Sequence, residues 1–564
     1  MVDYLVASLA TTGIEYVFGV GGANIEDLYD AAYYCDGITA VLAKHEFSAA
    51  TMADGYSRAG GQFGVVAATS GGASLNLLPA LGESLTSRVP VLALVGQAPS
   101  TLDGRGSFQD TSGLNGSLDA RAIFAEVSLY CRRLLRGADI ADVLADAVAA
   151  ARTGGPAVIL LPKDVQQAMV EQAESIQALE PANGEAPSAD YHSILSALRA
   201  TTGPVTIIAG EQVARDDAST EFATLAAALG ARVATVPDAK DLHGALGVTG
   251  VMGHPGVADA IVDSAVCVLV GTRLPMTASA GLEKALACTP TVSIGSAAPY
   301  VPCTQFHTTD LRVTLEALAA DLAGDIDAGV TKVAPENHRR IELLPPQFNG
   351  HGVRYRDAMA VLDGVLTDDV DIVVDAGNTG AAAIHHLPAR RAGRFIVALG
   401  MGGMGYSFGA GLGVAFARPH NRTVVIAGDG AFFMHGMEIH TAVHYGLPVT
   451  FVLFNNNAHA MCVTREQIFY GDQYSYNRFA PSRLAAGLAS MFPGLFALDV
   501  DQISDLESAL LDALATEGPS VVCIECSADE IPPFAPFLDP GTRGVAATSP
   551  LSNEKDRSHV ASRT

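Results

Sequence analysis

The stretch TVVIAGDGAFFMHGMEIHTAVHYGLPVTFVLFNNNAHAM, residues 423–461, decides how this chain folds. The apolar run Thr423–Ala427 predicts a buried strand, and Val449–Phe454 predicts a second one. Between the two runs, apolar residues recur at helical spacing from Ile439 onward. A strand, a helix and a second strand in this order predict a βαβ unit, whose two strands lie parallel in one sheet.

Polar side chains follow both predicted strands. The triplet Gly428-Asp429-Gly430 comes directly after the first strand, and Asn455-Asn456-Asn457 comes after the second. Open parallel sheets bind their ligands at the carboxyl ends of the strands. One carboxylate and one amide oxygen form a sparse ligand set, which suits Mg²⁺ because that ion keeps water and substrate phosphates in its octahedron. The segment therefore predicts a phosphate ligand that is held through a metal.

Composition limits the class of protein. A chain of 564 residues is too long for one hydrophobic core, and its net charge of −26 argues against nucleic-acid or anionic-membrane partners. No apolar run reaches the roughly 18 to 20 residues of a membrane span, and the N-terminal stretch has no basic leader, so we expect a cytoplasmic protein. Cys523 and Cys526 form a lone C-x-x-C without a second pair, which favours reduced, buried thiols over a zinc site.

The alternation of apolar strands and helical stretches predicts an α/β protein with three parallel-sheet α/β domains. We expect these domains at residues 1–168, 190–330 and 351–540, separated by polar, proline-bearing linkers. The polar residues 545–564 predict a disordered tail.

The GDG triplet followed by paired asparagines resembles the cofactor motif of the thiamine diphosphate (ThDP)-dependent enzymes. This resemblance implies that Asp429 and Asn456 are side-chain ligands of Mg²⁺ and that Ala458 adds its backbone carbonyl. The segment DAGNTG, residues 375–380, is similar to the first diphosphate loop of that family. Further cofactor contacts implied by the resemblance are Asn378, Thr379, Gly428, Gly430, Ala431 and Met461.

A second segment, ITAVLAKHEFSAATMADGYSRAGG, resembles the pyrimidine-binding domain of the same family. The resemblance implies that Glu46 hydrogen-bonds N1′ of the cofactor's aminopyrimidine and favours the imino tautomer, whose N4′ then takes the proton from the thiazolium ring. Glu46 is accordingly the main catalytic candidate. In this family the Glu46 of one chain serves the cofactor held by Asp429 of another, so the resemblance implies a homodimer or homotetramer with sites between chains. The three domains become pyrimidine-binding, central and diphosphate-binding domains.

Other segments extend the likeness over most of the chain. SFQD resembles a loop that borders the active site, which makes Gln109 a catalytic candidate and Phe108 a substrate contact. LGMGGMGYSFGAGLGVA resembles the segment in which Met404 bends ThDP and the Gly402 carbonyl accepts from its 4′-amino group, although Met404 read alone fits an ordinary core methionine. His459 follows the metal loop, where it fits a proton shuttle and a buried structural histidine equally.

Departures from the acetolactate synthase group, which the chain resembles best, concern the substrate. The second arginine of the central domain is replaced at Met276, a lysine of the first domain is replaced near Leu129, and Arg465 stands near a tryptophan position in a chain without tryptophan. Arg465 fits either a surface salt bridge or a pocket contact to a substrate anion. The segment ECSADEIPPFAPFL resembles the C-terminal arm over the active site, where Glu530 would lie at the substrate entrance.

We therefore predict an enzyme that uses ThDP and Mg²⁺ to decarboxylate a 2-oxo acid, pyruvate first, and that joins the acyl unit to a carbonyl acceptor in specialised metabolism. A simple 2-oxo acid decarboxylase, an aldehyde or acyloin lyase, and a non-catalytic relative remain alternatives. A nicotinamide dehydrogenase is disfavoured because Asn24 stands where the dinucleotide fingerprint needs its third glycine. The likeness to acetolactate synthases raises FAD as a structural cofactor, and the sequence leaves that question open.

Overall fold

The computed structural model describes most of the chain, namely residues 1–60, 63–170, 189–326, 340–473 and 475–538. The tail predicted at 545–564 lies outside the described residues, as do most of the two predicted linkers. Across the described ranges, no helix combines the length and apolar character that a membrane crossing requires. The three domain boundaries predicted from the sequence stay predictions.

The first sheet has six strands in the order β2-β1-β3-β4-β6-β5, and all of its pairs are parallel. Strands β1 to β6 are Tyr16–Val20, Thr39–Leu42, Gly64–Ala68, Val91–Gln97, Tyr130–Arg133 and Pro156–Pro162. The helices around it are Val2–Thr11, Glu26–Tyr33, Glu46–Gly60, Gly72–Leu75, Leu78–Thr86, Ala120–Ala125, Ile140–Arg152 and Lys163–Gln166, with 3₁₀ turns at Ser100–Leu102 and Gly137–Asp139.

The middle sheet has five parallel strands in the order β11-β10-β9-β7-β8. Strands β7 to β11 are Val205–Ala209, Arg232–Thr235, Val266–Val270, Thr291–Gly295 and Thr304–His307. Its helices are Ala189–Arg199, Glu211–Arg215, Ser219–Leu229, Gly256–Val262, Met276–Ser279, Glu283–Cys288 and Leu311–Ile326, with a 3₁₀ helix at Pro237–Leu242.

The third sheet repeats the topology of the first, in the order β13-β12-β14-β15-β17-β16. Strands β12 to β17 are Asp371–Val374, Phe395–Val397, Thr423–Gly428, Val449–Asn455, Phe496–Val500 and Ser520–Glu525. Its helices are Tyr355–Val365, Asn378–His386, Tyr406–Ala417, Asp429–His435, Ile439–Tyr445, Ala460–Tyr470, Leu484–Met491, Ile503–Leu514 and Ala535–Leu538, with a 3₁₀ turn at Gly436–Glu438. Three parallel α/β sheets confirm the predicted fold class.

Glycines join the first and third domains. The helices Glu46–Gly60 and Tyr406–Ala417 cross so closely that a Cβ on Gly55 would lie 2.3 Å from the Ala410 carbonyl oxygen. A Cβ on Gly413 would lie 2.0 Å from the Met52 carbonyl oxygen, so only glycine fits at these contacts. One hydrophobic cluster runs through this crossing and through both sheets. The two domains of one chain therefore share a core.

A buried lysine joins the middle domain to the third. The Lys240 ammonium donates to the carbonyl oxygens of Ala383 and Ile384 at 3.0 and 2.6 Å, and also to that of Leu387. These carbonyls lie at the C-terminal end of helix Asn378–His386, where a cation is favourable, although that of Ala383 also accepts from the Leu387 N–H at 3.1 Å. The contact fixes the helix whose other end reaches the candidate site.

Candidate active site

The ends of strands β14 and β15 bring the motif residues of the third domain together. Gly428, the last residue of β14, pairs with Phe454 in β15, so the two strands end side by side. Asp429 is the first residue of the helix after β14, and Asn456 directly follows the last residue of β15. The predicted βαβ unit therefore exists, with an additional short helix at Asp429–His435 that the sequence reading did not separate from the main helix.

Two side-chain oxygens at these strand ends are buried without a hydrogen-bond partner in the described structure. Asp429 is 0% exposed, and its Oδ2 accepts from the Ala458 N–H at 3.2 Å while Oδ1 has no partner. The Asn456 Nδ2 bonds the Tyr355 hydroxyl at 3.3 Å, and the Asn456 Oδ1 is likewise buried and unpartnered. Burial raises the pKa of Asp429 to about 7. Buried oxygens left in this way fit a divalent cation, and this donor set suits Mg²⁺.

The loop after Asn456 is held in a strained turn. Asn457 has φ 54°, a left-handed conformation that is uncommon for a residue other than glycine. The His459 N–H donates to the Asn477 carbonyl at 2.8 Å, and the Phe479 N–H donates to the Asn457 carbonyl at 2.6 Å. Neither bond uses the carbonyl of Ala458, the residue between Asn457 and His459. That carbonyl is therefore available as the third oxygen that the resemblance assigned to the metal.

Helix Asn378–His386 points its N-terminus at the same strand ends. Asn378 and Thr379 are buried, and the Asn378 Nδ2 donates to Thr464 Oγ1 at 3.2 Å. Asn378 Oδ1 is a third buried oxygen without a partner among the described residues. The Thr379 hydroxyl lies 3.9 Å from the position that a Cβ on Gly428 would take. The unpaired amides of a helix N-terminus bind phosphate, so this end fits the diphosphate of the implied cofactor.

The glycine-rich segment from Gly400 to Gly405 is anchored from two sides. Asp375, at the end of β12, accepts from the Gly405 N–H at 3.0 Å and from the Ser407 N–H at 2.9 Å. Glu83 of the first domain accepts from the amides of Gly400, Met401 and Gly402 at 3.1, 2.6 and 3.3 Å. The Gly402 backbone has φ 65°. Carboxylates of two domains therefore fix the backbone between them.

Met404, His459 and Gly430 lie together next to the metal residues. A Cβ on Gly430 would lie 3.2 Å from the Met404 Cε and 2.6 Å from the His459 Nδ1. The His459 ring also makes an edge contact with Phe479, with centroids 4.7 Å apart. His459 Nδ1 is buried and has no partner among the described residues. The structure thus places three predicted site residues in one cluster, and it shows why residue 430 is glycine.

The first domain carries a separate group of predicted site residues. Glu46 begins helix Glu46–Gly60, and its Oε2 accepts from the Asn76 Nδ2 at 2.9 Å. Gln109 has φ 58° and accepts from the Ser70 hydroxyl at 3.3 Å. Left-handed backbone at a non-glycine residue often marks a functional loop. Its neighbour Phe108 is 75% exposed.

Within one chain, the start of helix Glu46–Gly60 docks beside the third domain without reaching the metal residues. Glu438 accepts from the N–H groups of Lys44 and His45 at 2.9 and 3.2 Å. The ring of Phe47 stacks on His435 at 4.3 Å between centroids. No hydrogen bond or ion pair of the described residues joins Glu46 to Asp429 or Asn456. Glu46 and the metal candidates therefore form two separate groups within the described chain.

The predicted substrate positions lie at the surface. Met276 is 73% exposed, and Leu129 is also exposed. Arg465 makes no ion pair with any described residue, and its guanidinium lies 5.4 Å from the centroid of Phe469. Met461, in the first turn of helix Ala460–Tyr470, is half-buried. These positions remain predicted substrate and cofactor contacts.

Glu530 has a partner that the sequence did not indicate. Its carboxylate accepts from the Tyr355 N–H at 3.2 and 3.3 Å, and burial raises its pKa to about 7.

The sequence reading did not single out four partners of the candidate site residues, namely Asn76, Asp375, Glu83 and Tyr355. Asp375 stands inside the quoted segment DAGNTG, so a stricter reading would have found it, whereas Asn76 ends the stretch TSGGASLN at residues 69–76. No motif marks Tyr355 or Glu83.

One further cluster has the composition of a metal site. Asp499, Cys523 and Glu525 offer ligand atoms within 4.8 Å of one another. Their carboxylates are already used, since Asp499 accepts from the Ala485 and Ala486 amides and Glu525 accepts from Asn455 at 2.7 Å. All eight cysteines are free of disulfide bonds, and Cys523 and Cys526 are buried. We therefore assign this cluster to the structure of the third domain.

Comparison with known proteins identifies the class that this fold and site define. Three family models match in order: the N-terminal TPP binding domain of thiamine pyrophosphate enzymes at residues 1–116, their central domain at 192–298, and their C-terminal TPP binding domain at 375–524. The chain belongs to the thiamine diphosphate-dependent enzymes, in their acetolactate synthase-like group.

Individual relatives agree with that assignment. The acetolactate synthase large subunit of Lactococcus lactis is 26% identical over 91% of this chain and 92% of its own. The acetolactate synthase isozyme 2 large subunit of Escherichia coli is 27% identical over 98% and 99%. The sulfoacetaldehyde acetyltransferase of Castellaniella defragrans is 27% identical over 94% of both chains. A solved structure from Mycobacterium smegmatis, described as a thiamin diphosphate-dependent enzyme, matches with a TM-score of 0.76 at 20% identity and covers 93% of this chain and 98% of that one.

Proposed function

We propose that this enzyme uses ThDP and Mg²⁺ to decarboxylate a 2-oxo acid, pyruvate first, and to join the remaining acyl unit to a carbonyl acceptor. The observation that carries the proposal is the set of three buried, unpartnered oxygens on Asp429, Asn456 and Asn378. They stand where two strand ends meet a helix N-terminus, which is a site for a metal-bound diphosphate. Glu46, oriented by Asn76, supplies the carboxylate that this class of chemistry requires.

Each half of the site has its own task. Bound ThDP supplies an electron sink for the electron pair released when a 2-oxo acid loses CO₂. Asp429, Asn456 and the Ala458 carbonyl hold the metal, and Met404 supports the cofactor from the side of Gly430. Glu46, whose Oε2 accepts from Asn76, would hydrogen-bond the aminopyrimidine ring of the bound cofactor and hold a proton there. Gln109 and His459 are the other proposed catalytic residues, and the His459 Nδ1 is buried without a partner among the described residues.

We propose that two chains complete each site. The family resemblance is the ground for this proposal, since in that family the Glu46 of one chain serves the cofactor that Asp429 of another chain holds. The exposed apolar side chains Phe433, Met434 and Met437, close to Asp429 in sequence, are consistent with a covered face. A homodimer is the minimum assembly, and a homotetramer of two such dimers fits equally. The cytoplasm, predicted from the sequence, is the proposed location.

The acceptor is the open part of the proposal. Relatives at 26–27% identity carry the names acetolactate synthase and sulfoacetaldehyde acetyltransferase, so likeness at this level does not choose between a 2-oxo acid and an aldehyde. At Met276 the chain presents an exposed thioether instead of a second arginine that would pair with a carboxylate. This favours an acceptor other than a second 2-oxo acid.

FAD is not part of the proposed function, because polar contacts already cross the strand ends of the middle sheet. Gln212 accepts from the Ser296 N–H at 2.8 Å, and Arg215 donates to the Ser296 hydroxyl at 3.1 Å. These contacts bridge the segments after β7 and β10, where an open sheet would place a dinucleotide. Purified protein without visible flavin absorption would support an enzyme that lacks FAD. Flavin bound in stoichiometric amount would show that these contacts separate to admit the cofactor.

Product analysis tests the proposed function. The enzyme with ThDP and Mg²⁺ is incubated with pyruvate alone and with a panel of aldehydes, ketones and 2-oxo acids, and both CO₂ and carbon–carbon products are measured. We expect CO₂ release that is coupled to a ligation product with at least one acceptor. Release of CO₂ with free aldehyde as the only product would establish a decarboxylase instead. No turnover of any 2-oxo acid, together with cleavage of an acyloin, would establish a lyase.

A further inference from the structure

A buried asparagine in the first domain makes hydrogen bonds that the proposed function leaves unused. Asn24 lies in the loop after β1, and Ser70 lies in the loop after the neighbouring strand β3. Asn24 is 6% exposed and Ser70 is 0% exposed. An open parallel sheet binds its ligands at the carboxyl ends of its strands, so both residues belong to the ligand-binding edge of the first sheet.

Asn24 joins the two loops through its backbone and its side chain. Its N–H donates to the Thr69 Oγ1 at 3.1 Å, and its Nδ2 donates to the Ser70 Oγ at 2.7 Å. Its carbonyl accepts from the Gln166 Nε2 at 2.8 Å. A Cβ on Gly22 would lie 2.5 Å from the Thr69 Cγ2, so the two loops touch at this point. The Asn24 amide therefore has a fixed place beside Ser70.

The direction of these hydrogen bonds continues to Gln109. An amide nitrogen only donates, so the Ser70 Oγ accepts from Asn24 and keeps its own hydrogen. That hydroxyl donates to the Gln109 Oε1 at 3.3 Å. Because the oxygen end of the Gln109 amide is taken, the Nε2 is its free end, and this nitrogen has no hydrogen bond to a described residue. Asn24 thus determines, through Ser70, which end of the Gln109 amide remains available.

The backbone restricts the Gln109 side chain as well. Gln109 has φ 58°, and Gly71 has φ 70°. A Cβ on Gly71 would lie 2.8 Å from the Gln109 Cγ, so the stem of Gln109 packs directly on the glycine backbone. The same segment continues to Asn76, whose Nδ2 donates to the Glu46 Oε2 at 2.9 Å. One segment after β3 therefore contacts both catalytic candidates of the first domain.

We propose that Asn24 is a positioning residue, which holds the Gln109 amide through Ser70 so that the Nε2 donor is presented to the 2-oxo acid. The inference rests on the proposed function, in which Gln109 is a catalytic residue. The keto and carboxylate oxygens of a 2-oxo acid only accept hydrogen bonds, so an N–H donor matches them, whereas a reversed amide would set oxygen against oxygen. Asn24 is also the residue that interrupts the dinucleotide fingerprint, and this role gives that position a task of its own.

A double-mutant cycle in the holoenzyme tests this role. The enzyme with ThDP and Mg²⁺ is assayed for CO₂ release from pyruvate, and bound ThDP is measured for every variant. Asn24→Ala and Ser70→Ala interrupt the same hydrogen-bond relay at two points. We expect kcat/KM for pyruvate to fall about tenfold in each, as for one hydrogen bond to a charged group, with ThDP content unchanged. Added to Gln109→Ala, Asn24→Ala should cause no further loss, because the group that it positions is gone.

Ser74→Ala is the matched control. Ser74 is 0% exposed, stands in the same segment, and donates its hydroxyl to the Gly71 carbonyl at 2.9 Å instead of to Gln109. The change removes a buried serine hydroxyl without interrupting the relay, so kcat/KM should stay at the parent value. Urea denaturation establishes that each variant is folded. Ser70→Ala, which removes a single oxygen atom, carries the test if Asn24→Ala does not fold.

The results separate the positioning role from the proposed function. Parent kcat/KM in Asn24→Ala or Ser70→Ala overturns the positioning role, and so does an equal loss from Asn24→Ala with and without Gln109. Both results leave the decarboxylation of pyruvate in place. If the parent enzyme releases no CO₂ from pyruvate, the proposed function fails instead, and the same cycle is measured on the acyloin whose cleavage the product analysis detects.

Discussion

The Asn456 Nδ2 donates to the Tyr355 hydroxyl at 3.3 Å, while the Asn456 Oδ1 is buried and, like the Asp429 Oδ1, has no partner among the described residues. Tyr355 is fully buried at the start of its helix, where Glu530 accepts from its N–H. A residue 101 positions earlier in the chain thus holds the amide of a proposed metal ligand. Partners of this kind are as important to a metal site as the ligands themselves.

Replacing Tyr355 by phenylalanine tests that relationship. The change removes one hydroxyl and lets the Asn456 amide rotate, so we expect the Mg²⁺ affinity of the ThDP-loaded enzyme to fall about tenfold, the lower end for such partners. Calorimetric titration with Mg²⁺ measures the effect, and Tyr191→Phe serves as control because it removes a tyrosine hydroxyl bond in the middle domain. Equal Mg²⁺ affinity in the two variants would show that the Tyr355 ring fills space in the core and that its hydroxyl does not orient Asn456.

Asp429→Asn tests the metal assignment directly. The variant keeps the size of the side chain but removes the charge that attracts the cation, so we expect Mg²⁺-dependent retention of ThDP through dialysis to be lost. Cofactor content after dialysis is the measurement, and Asp499→Asn is the control because that carboxylate caps a helix in the same domain. Full retention in Asp429→Asn would remove the metal site from the proposed function.

Glu46→Gln separates cofactor binding from turnover. Glutamine can still meet Asn76, but it cannot exchange the proton with the aminopyrimidine ring. We expect ThDP content close to that of the parent enzyme and turnover lower by about two to four orders of magnitude, the usual contribution of a general acid–base. Near-normal turnover would mean that a different group activates the cofactor.

Gly413→Ala tests the shared core of the first and third domains. Because the new methyl would lie 2.0 Å from the Met52 carbonyl oxygen, the helix pair has to separate, and we expect a loss of about 3 kcal/mol in the free energy of unfolding. Gly487→Ala is the control, since no atom lies within 4 Å of its Cβ position and alanine favours helix by about 1 kcal/mol. Urea denaturation measures both variants. Equal stability would disprove the close crossing.

His385 predicts a dependence of stability on pH. Its Nε2 accepts from the Leu343 N–H at 3.0 Å and its Nδ1 lies 3.0 Å from the Met252 carbonyl, so the folded chain holds the neutral ring, and burial lowers its pKa to about 4. The unfolded chain takes up a proton on this histidine near pH 6.5, whereas the folded chain does so only near pH 4. The neutral His385 therefore stabilises the fold at neutral pH, and this stabilisation is lost as pH falls from about 6.5 toward 4.

Between pH 7.5 and 5.5 the expected cost from His385 is about 1.4 kcal/mol in the free energy of unfolding. His385→Gln should lose that part of the pH dependence, whereas His420→Gln, at an exposed histidine, should keep it. Urea denaturation at the two pH values measures the difference. Identical pH dependence in the two variants would show that His385 is charged in the folded protein.

The sequence predicted the parts of the fold that depend on local pattern. Strand β7 has the predicted bounds Val205–Ala209, and β14 and β15 each extend one residue beyond the predicted runs. Buried parallel strands appear as continuous apolar runs, so they can be recognised from the sequence alone. The short helix Asp429–His435 was missed because its apolar residues continue into the helix that follows.

The candidate site was predictable only where a motif carries it. Asp429, Asn456 and Glu46 stand in segments with a spacing that the chemistry requires, and the structure places them at strand and helix ends accordingly. Glu83, which fixes the Gly402 backbone, and Tyr355, which orients Asn456, have no motif because a single carboxylate or hydroxyl far away in sequence leaves no periodic signal.

By itself, the sequence determined that this chain forms parallel α/β sheets and that it carries the ThDP motif, because hydrophobic periodicity and motif spacing are properties of neighbouring residues. Only the tertiary structure decided which oxygens stay unpartnered, that Asn76 holds Glu46, and that Glu83 of the first domain fixes the Gly402 backbone of the third. Those facts depend on contacts between residues tens to hundreds of positions apart, which are fixed by the packing of helices and sheets and not by local preference.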